Sequence, residues 1–254
     1  MGALYRALLP EGVRARARPF IYAGDTLFRA ALWRAAAGRV ATGPFRGLRL
    51  APRPYLPHLL GTYERELHPV VDALCAREWK RIVNVGGGNG FYIAGLGMRC
   101  HDAELVVFEL EPTAREVIRA TLARNGLAER SRVLAAAEPP GLEAACAGEG
   151  PTLVVMDVEG AEVELTDTQA VPALRRTTLL VETHEFAKPG CRELIELRFT
   201  SSHRITAIDT APRTVADFPA ELAPLVQRVA RERCAAAVQE WRPEAQSWLL
   251  LEPR

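Results

Sequence analysis

After Trp79 the chain alternates short β-rich runs with helical stretches, and this alternation constrains the fold more than any other feature. The runs are RIVNV (81–85), ELVVFE (104–109), RVLA (132–135), TLVVMD (152–157), TTLLVE (177–182), RITAI (204–208) and SWLLLE (247–252). Helical patterns are predicted between them at 90–99, 112–125, 140–147, 161–175, 189–200 and 219–238. Strands separated by helices pair in parallel, and near-continuous apolar runs fit strands covered on both faces. The expected fold is therefore α/β, a doubly wound, seven-stranded, mostly parallel sheet. Gly126 after Asn125 is a helix stop, while Pro112 and Pro189 sit where a first helical turn tolerates a missing N–H.

Upstream of the sheet, residues 1–42 read mostly as helix, with Leu27, Phe28, Ala31, Leu32 and Trp33 at helical spacing and Gly38 as terminator. Four prolines and two glycines forbid a long helix over 43–60, although FRGLRL alternates well enough for a short strand. A helix is expected over about 63–78, with Thr62 as N-cap, Glu64 and Glu66 in the first turn and a kink or restart at Pro69. The division expected is a helical appendage and connector over 1–60, followed by the sheet domain over 61–254.

Composition removes several classes of function. Lys plus Arg is 32 against 31 for Asp plus Glu, so a net charge of +1 offers no electrostatic argument for nucleic acid, and no basic–aromatic interleaving supports RNA recognition. Residues 1–53 do hold ten Arg against two acids, Glu11 and Asp25, an excess of eight that reads first as a solvated helix face. That Arg-rich start imitates a transit peptide, but Arg replaces Lys throughout this chain. No apolar run reaches the roughly 18 residues of a membrane span. Five scattered cysteines without a CxxC pair suggest neither disulfides nor zinc, so a reducing, cytoplasmic setting is expected.

IVNVGGGNGFY places Gly86, Gly87, Gly88 and Gly90 between an apolar strand and a helix, where open α/β sheets bind nucleotide-like ligands. Glu109 ends the next strand, 19 residues after Gly90, and an acid there can accept two ribose hydroxyls. Nicotinamide enzymes and S-adenosylmethionine enzymes share this device, and spacing separates them. A dinucleotide fingerprint starting at Gly86 needs a small residue at 91, but the chain has Phe91 and follows G-x-G-x-G. Residues beside the turn, Asn84, Asn89 and Leu110, are cofactor-binding candidates, with Tyr63 and Glu64 closing from the preceding helix.

At this point the chain resembles the class I S-adenosylmethionine-dependent methyltransferases, particularly the FkbM-like group, over about 60–250. The resemblance rests on the glycine turn with Glu109, on NGL (125–127), and above all on MDVEGAEVEL (156–165) followed by LLVETHEF (179–186), similar to D-x-E-G-x-E and E-x-H signatures. GPFRGL (43–48) and LGTYERE (60–66) also look like the entry segment of relatives. It implies a Rossmann-like methyltransferase fold with six parallel strands and the last reversed, S-adenosylmethionine over the first strands, and methyl transfer to an oxygen of a sugar or secondary metabolite. Two departures stand out: Asn84 replaces an acid many relatives carry two residues before the first glycine, and the adenine contact after the third strand falls in AAAEPP, with Glu138 as candidate.

Asp157 and Glu182 end the fourth and fifth strands and should emerge at the rim of the glycine turn, with Glu159, Glu162, His184 and Glu185 crowding the same loops. So many like charges need protons, hydrogen bonds or a cation. The catalytic candidates are Asp157, Glu182 and His184: Asp157 or His184 removes a hydroxyl proton, and Glu182 orients the acceptor or joins Asp157 in holding Mg2+. His58, His68, His101 and His203 lack ligand-like spacing and are expected to be structural or exposed. The rival readings are an NAD(P)-dependent oxidoreductase, opposed by Phe91 and the lack of a Tyr-x-x-x-Lys pair, and a non-catalytic nucleoside-binding module. Acceptor identity and oligomeric state are not legible in the residues.

Overall fold

The computed structural model describes residues 25–222, 224, 228, 230–240, 242 and 246–254. Residues 1–24, which carry the start of the expected N-terminal helix and of the transit-peptide-like segment, lie outside the described residues.

Seven strands form one sheet in the order β3-β2-β1-β4-β5-β7-β6. They are β1 (Arg81–Val85), β2 (Glu104–Phe108), β3 (Ser131–Leu134), β4 (Thr152–Met156), β5 (Thr178–Thr183), β6 (His203–Asp209) and β7 (Ser247–Pro253). β3, β2, β1, β4 and β5 pair in parallel, and β7 runs antiparallel to both β5 and β6, so it alone is reversed. This is the expected doubly wound sheet, with six parallel strands and the last reversed.

Period-2 alternation divides the core between the two faces. Ile82, Leu105, Val107, Leu153, Val155, Leu180, Trp248 and Leu250 pack on one side, and Val83, Val106, Phe108, Val154, Met156, Val181 and Leu249 on the other. The first side carries a helix over residues 25–35 (α1), α2 (Leu56–Leu60), α3 (His68–Cys75), α4 (Phe91–Arg99), α5 (Pro112–Arg124) and, later in the chain, Arg231–Ala237. The second carries α6 (Pro139–Cys146), α7 (Glu162–Leu165) and α8 (Cys191–Phe199), so Arg231–Ala237 is α9 in chain order. Residues 28–60 join the first cluster directly: Leu32, Leu48, Leu59 and Leu60 are completely buried. At about 2 kcal/mol for each buried leucine, this packing holds the segment against the sheet.

Several expected elements differ, each for a local reason. The helix predicted over 161–175 stops at Leu165, where Asp167 Oδ1 accepts from Gln169 N–H, and a 3-10 turn starts at Pro172. A side chain that serves its own backbone in this way competes with the helix. The stretch predicted over 63–78 is a 3-10 turn at Arg65–Leu67 and then α3, which restarts beside Pro69. Its break is Glu64, in the left-handed region at φ 46°; Glu64 is buried rather than capping a first turn, and Thr62 makes no cap. FRGLRL forms only a single antiparallel bridge between Arg39 and Arg49. Of the helix expected over 219–238, residues 219–222 form a turn instead, closed by Leu222 N–H to Pro219 O, and Arg231–Ala237 is α9. Pro189 lies just ahead of α8 rather than inside its first turn, whereas Pro112 opens α5 and Gly126, at φ 70°, ends it as expected.

Register builds the site. Val85 pairs with Phe108 and Met156, and Met156 pairs with Val181, so the residues that follow emerge side by side at one rim. These are Gly86, Glu109, Asp157 and Glu182.

Candidate active site

The glycines of the turn serve different ends. Gly86 (φ 80°) and Gly87 donate their N–H groups to Phe108 O at 3.0 and 3.1 Å, locking the turn onto β2. A Cβ on Gly86 would lie 1.7 Å from Asp157 O, and one on Gly87 would meet Val107 and Ile118 at 2.5 and 2.7 Å. Gly90 approaches the α5 backbone at Ile118. Gly88 differs, because nothing lies within 4 Å of its Cβ position. Gly86→Ala is therefore expected to lower the melting temperature by roughly 6–12 °C, as a clash with backbone on top of a left-handed φ costs about 3 kcal/mol. Gly88→Ala should cost about 1 kcal/mol, the left-handed penalty alone. Equal losses in thermal denaturation would contradict this division.

Glu109 faces the turn. Its Oε2 accepts from Gly88 N–H at 2.7 Å and its Oε1 from Glu111 N–H at 2.9 Å, leaving further lone pairs on both oxygens. Leu110, the next residue, is exposed.

Between the turn and residues 55–63 lies a hollow of about 300 Å³. Its walls include Tyr55, His58, Tyr63, Asn84, Gly86, Gly87, Gly88, Asn89, Tyr92 and Asp157. Thus Tyr63, Asn84, Asn89 and Asp157 line it, while Glu109, Leu110 and Gly90 are not on its walls; Glu109 reaches it only through its bond to Gly88. Asn84 donates through Nδ2 to Gly86 O (3.4 Å) and Val155 O (3.3 Å), and its buried Oδ1 has no partner among the described residues. A free acceptor in the wall and an open face at Gly88 suit an S-adenosyl amino acid, whose ammonium and ribose need such partners. Glu138, the proposed adenine contact, occupies the N-cap position of α6, where its carbonyl accepts from Leu142 N–H.

The spacing rules missed the aromatic roof. His58 stacks on Phe91 at 4.0 Å and 6°, and Tyr55 and Tyr63 meet it edge-on. His58 was expected to be structural or exposed; it is packed, and it also lines the hollow. Burial pushes the Tyr55 phenol up to about 12 and the Tyr63 phenol well above its ordinary value, so both stay neutral.

The acidic rim is a network built around His184 and Arg242. His184 is 2% exposed, and its Nδ1 is 2.6 Å from Glu162 Oε1. Its Nε2 faces Asp157 Oδ1 and Glu182 Oε2, each at 3.5 Å. Burial alone would lower the His184 pKa, but the Glu162 hydrogen bond and charge raise it overall. Burial acts on Glu162 in the raising direction; the His184 bond and the N–H groups of Val158 and Gly160 outweigh it and keep this carboxyl below its usual range. Together they form a close, buried imidazole–carboxylate pair.

Glu182 is pushed up to about 10 by burial and by the charges of Asp157 and Glu64, against the pull of Arg242. Burial likewise raises Asp157, with His184 opposing. The charge of Asp157 thus favours the protonated form of its neighbour Glu182, as like charges so close do not both ionise readily. Arg242 bonds Glu182, Glu64 (2.7 Å) and Glu240 (3.1 Å), and Glu64, fully buried, also accepts from Tyr92 Oη. No motif pointed to Arg242, which lies 60 residues beyond Glu182.

Asp157, Glu182 and His184 offer three ligand atoms within 4.8 Å of one another. One is an imidazole nitrogen, whereas Mg2+ demands oxygen ligands in near-octahedral array, so this donor set does not match the ion expected from the sequence.

No protein-family model matches the chain, and no curated protein matches it in sequence. Solved structures do. The methyltransferase domain of METTL16 is 13% identical, over 81% of this chain and 88% of that one, with a TM-score of 0.50. The O-methyltransferase TomG from Streptomyces achromogenes, involved in tomaymycin synthesis and solved with SAM, is 16% identical over 87% and 89%, with a TM-score of 0.49. A SAM-dependent O-methyltransferase from Thermotoga maritima is 13% identical over 79% and 72%, with a TM-score of 0.48. At these identities the likeness is one of architecture: the chain has the Rossmann-like methyltransferase fold, a seven-stranded, mostly parallel sheet flanked by helices.

Proposed function

We propose that this protein transfers a methyl group from S-adenosylmethionine to an oxygen of a small molecule, such as a sugar or secondary metabolite. The observation that carries the reading is the open hollow at Gly88, flanked by a carboxylate, Glu109, fixed at the end of the neighbouring strand. The fold shared with a methyltransferase domain supports it, as does the sequence resemblance to the FkbM-like group. On this reading residues 1–60 are the appendage, whose Tyr55 and His58 line the hollow, and 61–254 form the transferase domain. The five free cysteines fit a cytoplasmic setting; among the described residues no helix is long and apolar enough to cross a membrane.

When bound, the cofactor supplies an electrophilic methyl group on a sulfonium. Glu109 accepts the two ribose hydroxyls and Asn84 Oδ1 accepts from the ammonium. Tyr63, with Tyr55 and Tyr92, covers the hollow and excludes water. Asp157, whose side chain remains 36% exposed, would take the proton from the acceptor hydroxyl, freeing the oxygen lone pair that receives the methyl group as its bond to sulfur breaks. His184, held by Glu162, stands behind Asp157, and Glu182, anchored by Arg242, orients the acceptor.

Calorimetric titration with S-adenosylhomocysteine tests the reading: micromolar binding is expected, and binding of NAD instead would favour the oxidoreductase. No step uses Mg2+, so activity measured after EDTA treatment and desalting should stay within about twofold of the untreated enzyme; loss restored only by Mg2+ would return Asp157 and Glu182 to the role of metal ligands.

A further inference from the structure

Phe91 opens α4, and its N–H donates to Asn89 Oδ1 at 3.2 Å. This bond fixes which end of the Asn89 amide is oxygen, so the end lying 3.0 Å from His58 Nδ1 is the nitrogen, Nδ2. An amide nitrogen only donates, hence His58 Nδ1 accepts and the neutral ring carries its proton on Nε2. Burial pushes the His58 pKa down to about 3, so the ring is uncharged at neutral pH.

The ring is clamped in place. Phe91 stacks on one face, and Tyr55 and Tyr63 meet it edge-on at centroid distances of 5.2 and 4.5 Å. His58 is only 8% exposed, on the wall of the hollow, and Nε2 has no hydrogen-bond partner among the described residues. A donor without a protein partner on the wall of the hollow is open to an acceptor atom of a ligand. It stands beside the first turn of the nine-residue α4, the positive end of that helix dipole. The lining of the same hollow also includes Asn84, whose free Oδ1 is an acceptor for a cation. Such a hollow suits a zwitterion, with its ammonium toward Asn84 and its carboxylate toward His58.

We propose that His58 donates its Nε2–H to the α-carboxylate of the cofactor's amino-acid end, with Asn89 setting the tautomer that makes this possible. The proposal rests on the hollow being the S-adenosylmethionine site. It assigns anion recognition to an uncharged ring from the segment ahead of the sheet, not to an Arg or Lys.

The test compares S-adenosylhomocysteine, which has the carboxylate, with 5′-methylthioadenosine, which lacks the amino-acid end. His58→Phe retains a ring against Phe91 and removes the donor. It should weaken S-adenosylhomocysteine by at least about tenfold and change methylthioadenosine by less than about twofold. Equal losses for both ligands, or none for either, would overturn the proposal, since a ring that only packs does not distinguish them. If wild type binds neither ligand, the cofactor reading fails and this proposal with it. Should the variant not fold, imidazole ¹⁵N NMR on wild type decides: a neutral ring protonated at Nε2 is expected, with its Nε2–H moving downfield on adding S-adenosylhomocysteine but not methylthioadenosine. A ring protonated at Nδ1, or an identical response to both ligands, overturns it.

Discussion

Glu109→Ala is expected to weaken S-adenosylhomocysteine binding by about 100-fold, with the fold intact. The magnitude follows from the chemistry of the contact. A carboxylate that accepts two ribose hydroxyls makes two hydrogen bonds to a charged group, each worth roughly 1.5–3 kcal/mol, and 1.4 kcal/mol is tenfold in affinity. The same side chain also accepts from Gly88 and Glu111 N–H, so alanine loosens the turn as well. Glu109→Gln separates the two effects, because it keeps one acceptor for the backbone yet offers a weaker, uncharged partner to the hydroxyls. Calorimetry on both variants, with thermal denaturation as control, checks this. An affinity unchanged in Glu109→Ala would remove the ribose contact, and with it the reading of the hollow.

Asp157→Asn should lower kcat by about 10²–10⁴-fold while leaving S-adenosylhomocysteine affinity within a few-fold. Asparagine fills the same space and removes only the ability to take a proton. The pH dependence supplies a second signature. Burial raises the Asp157 pKa above the ordinary carboxylate value, with His184 opposing. A general base must be unprotonated, so the wild-type rate falls as pH drops through this raised pKa, at higher pH than an ordinary aspartate would give. The variant should lack that limb. The measurement is initial rate against pH, using an acceptor recovered by screening metabolite extracts with labelled methyl donor. A variant with wild-type kcat would transfer the role of base to another group, with His184 the next candidate.

Legibility differed between parts of the molecule. The strands from β1 to β7 were readable because each carries its information locally: β-branched and aliphatic runs too short for helices, bounded by turn residues. Helix ends at Gly126 and Pro112 were local as well. The break at Glu64 and the early stop at Leu165 were misread for a shared reason. In each, a polar side chain abandons the helix for another partner: Glu64 for Arg242 and Tyr92, Asp167 for the Gln169 backbone. Thr-Asp-Thr-Gln at 166–169, followed by Pro172, was a usable cue for the second. No comparable cue existed for the first.

By itself, the order of residues determined a doubly wound sheet, a glycine turn at the end of β1, an acid at the end of β2, and carboxylates at the ends of β4 and β5. Those features depend on interactions within a few residues or on strand periodicity, and parallel register carries them to one rim. Tertiary structure alone decided which charges meet. Arg242 reaches Glu64 and Glu182 from far along the chain, Glu162 pairs with His184, and His58 reaches Asn89 across 31 positions. The physical reason is that hydrogen bonds and ion pairs require atoms within about 3 Å, and sequence spacing does not encode contacts made between separate elements after the sheet has closed.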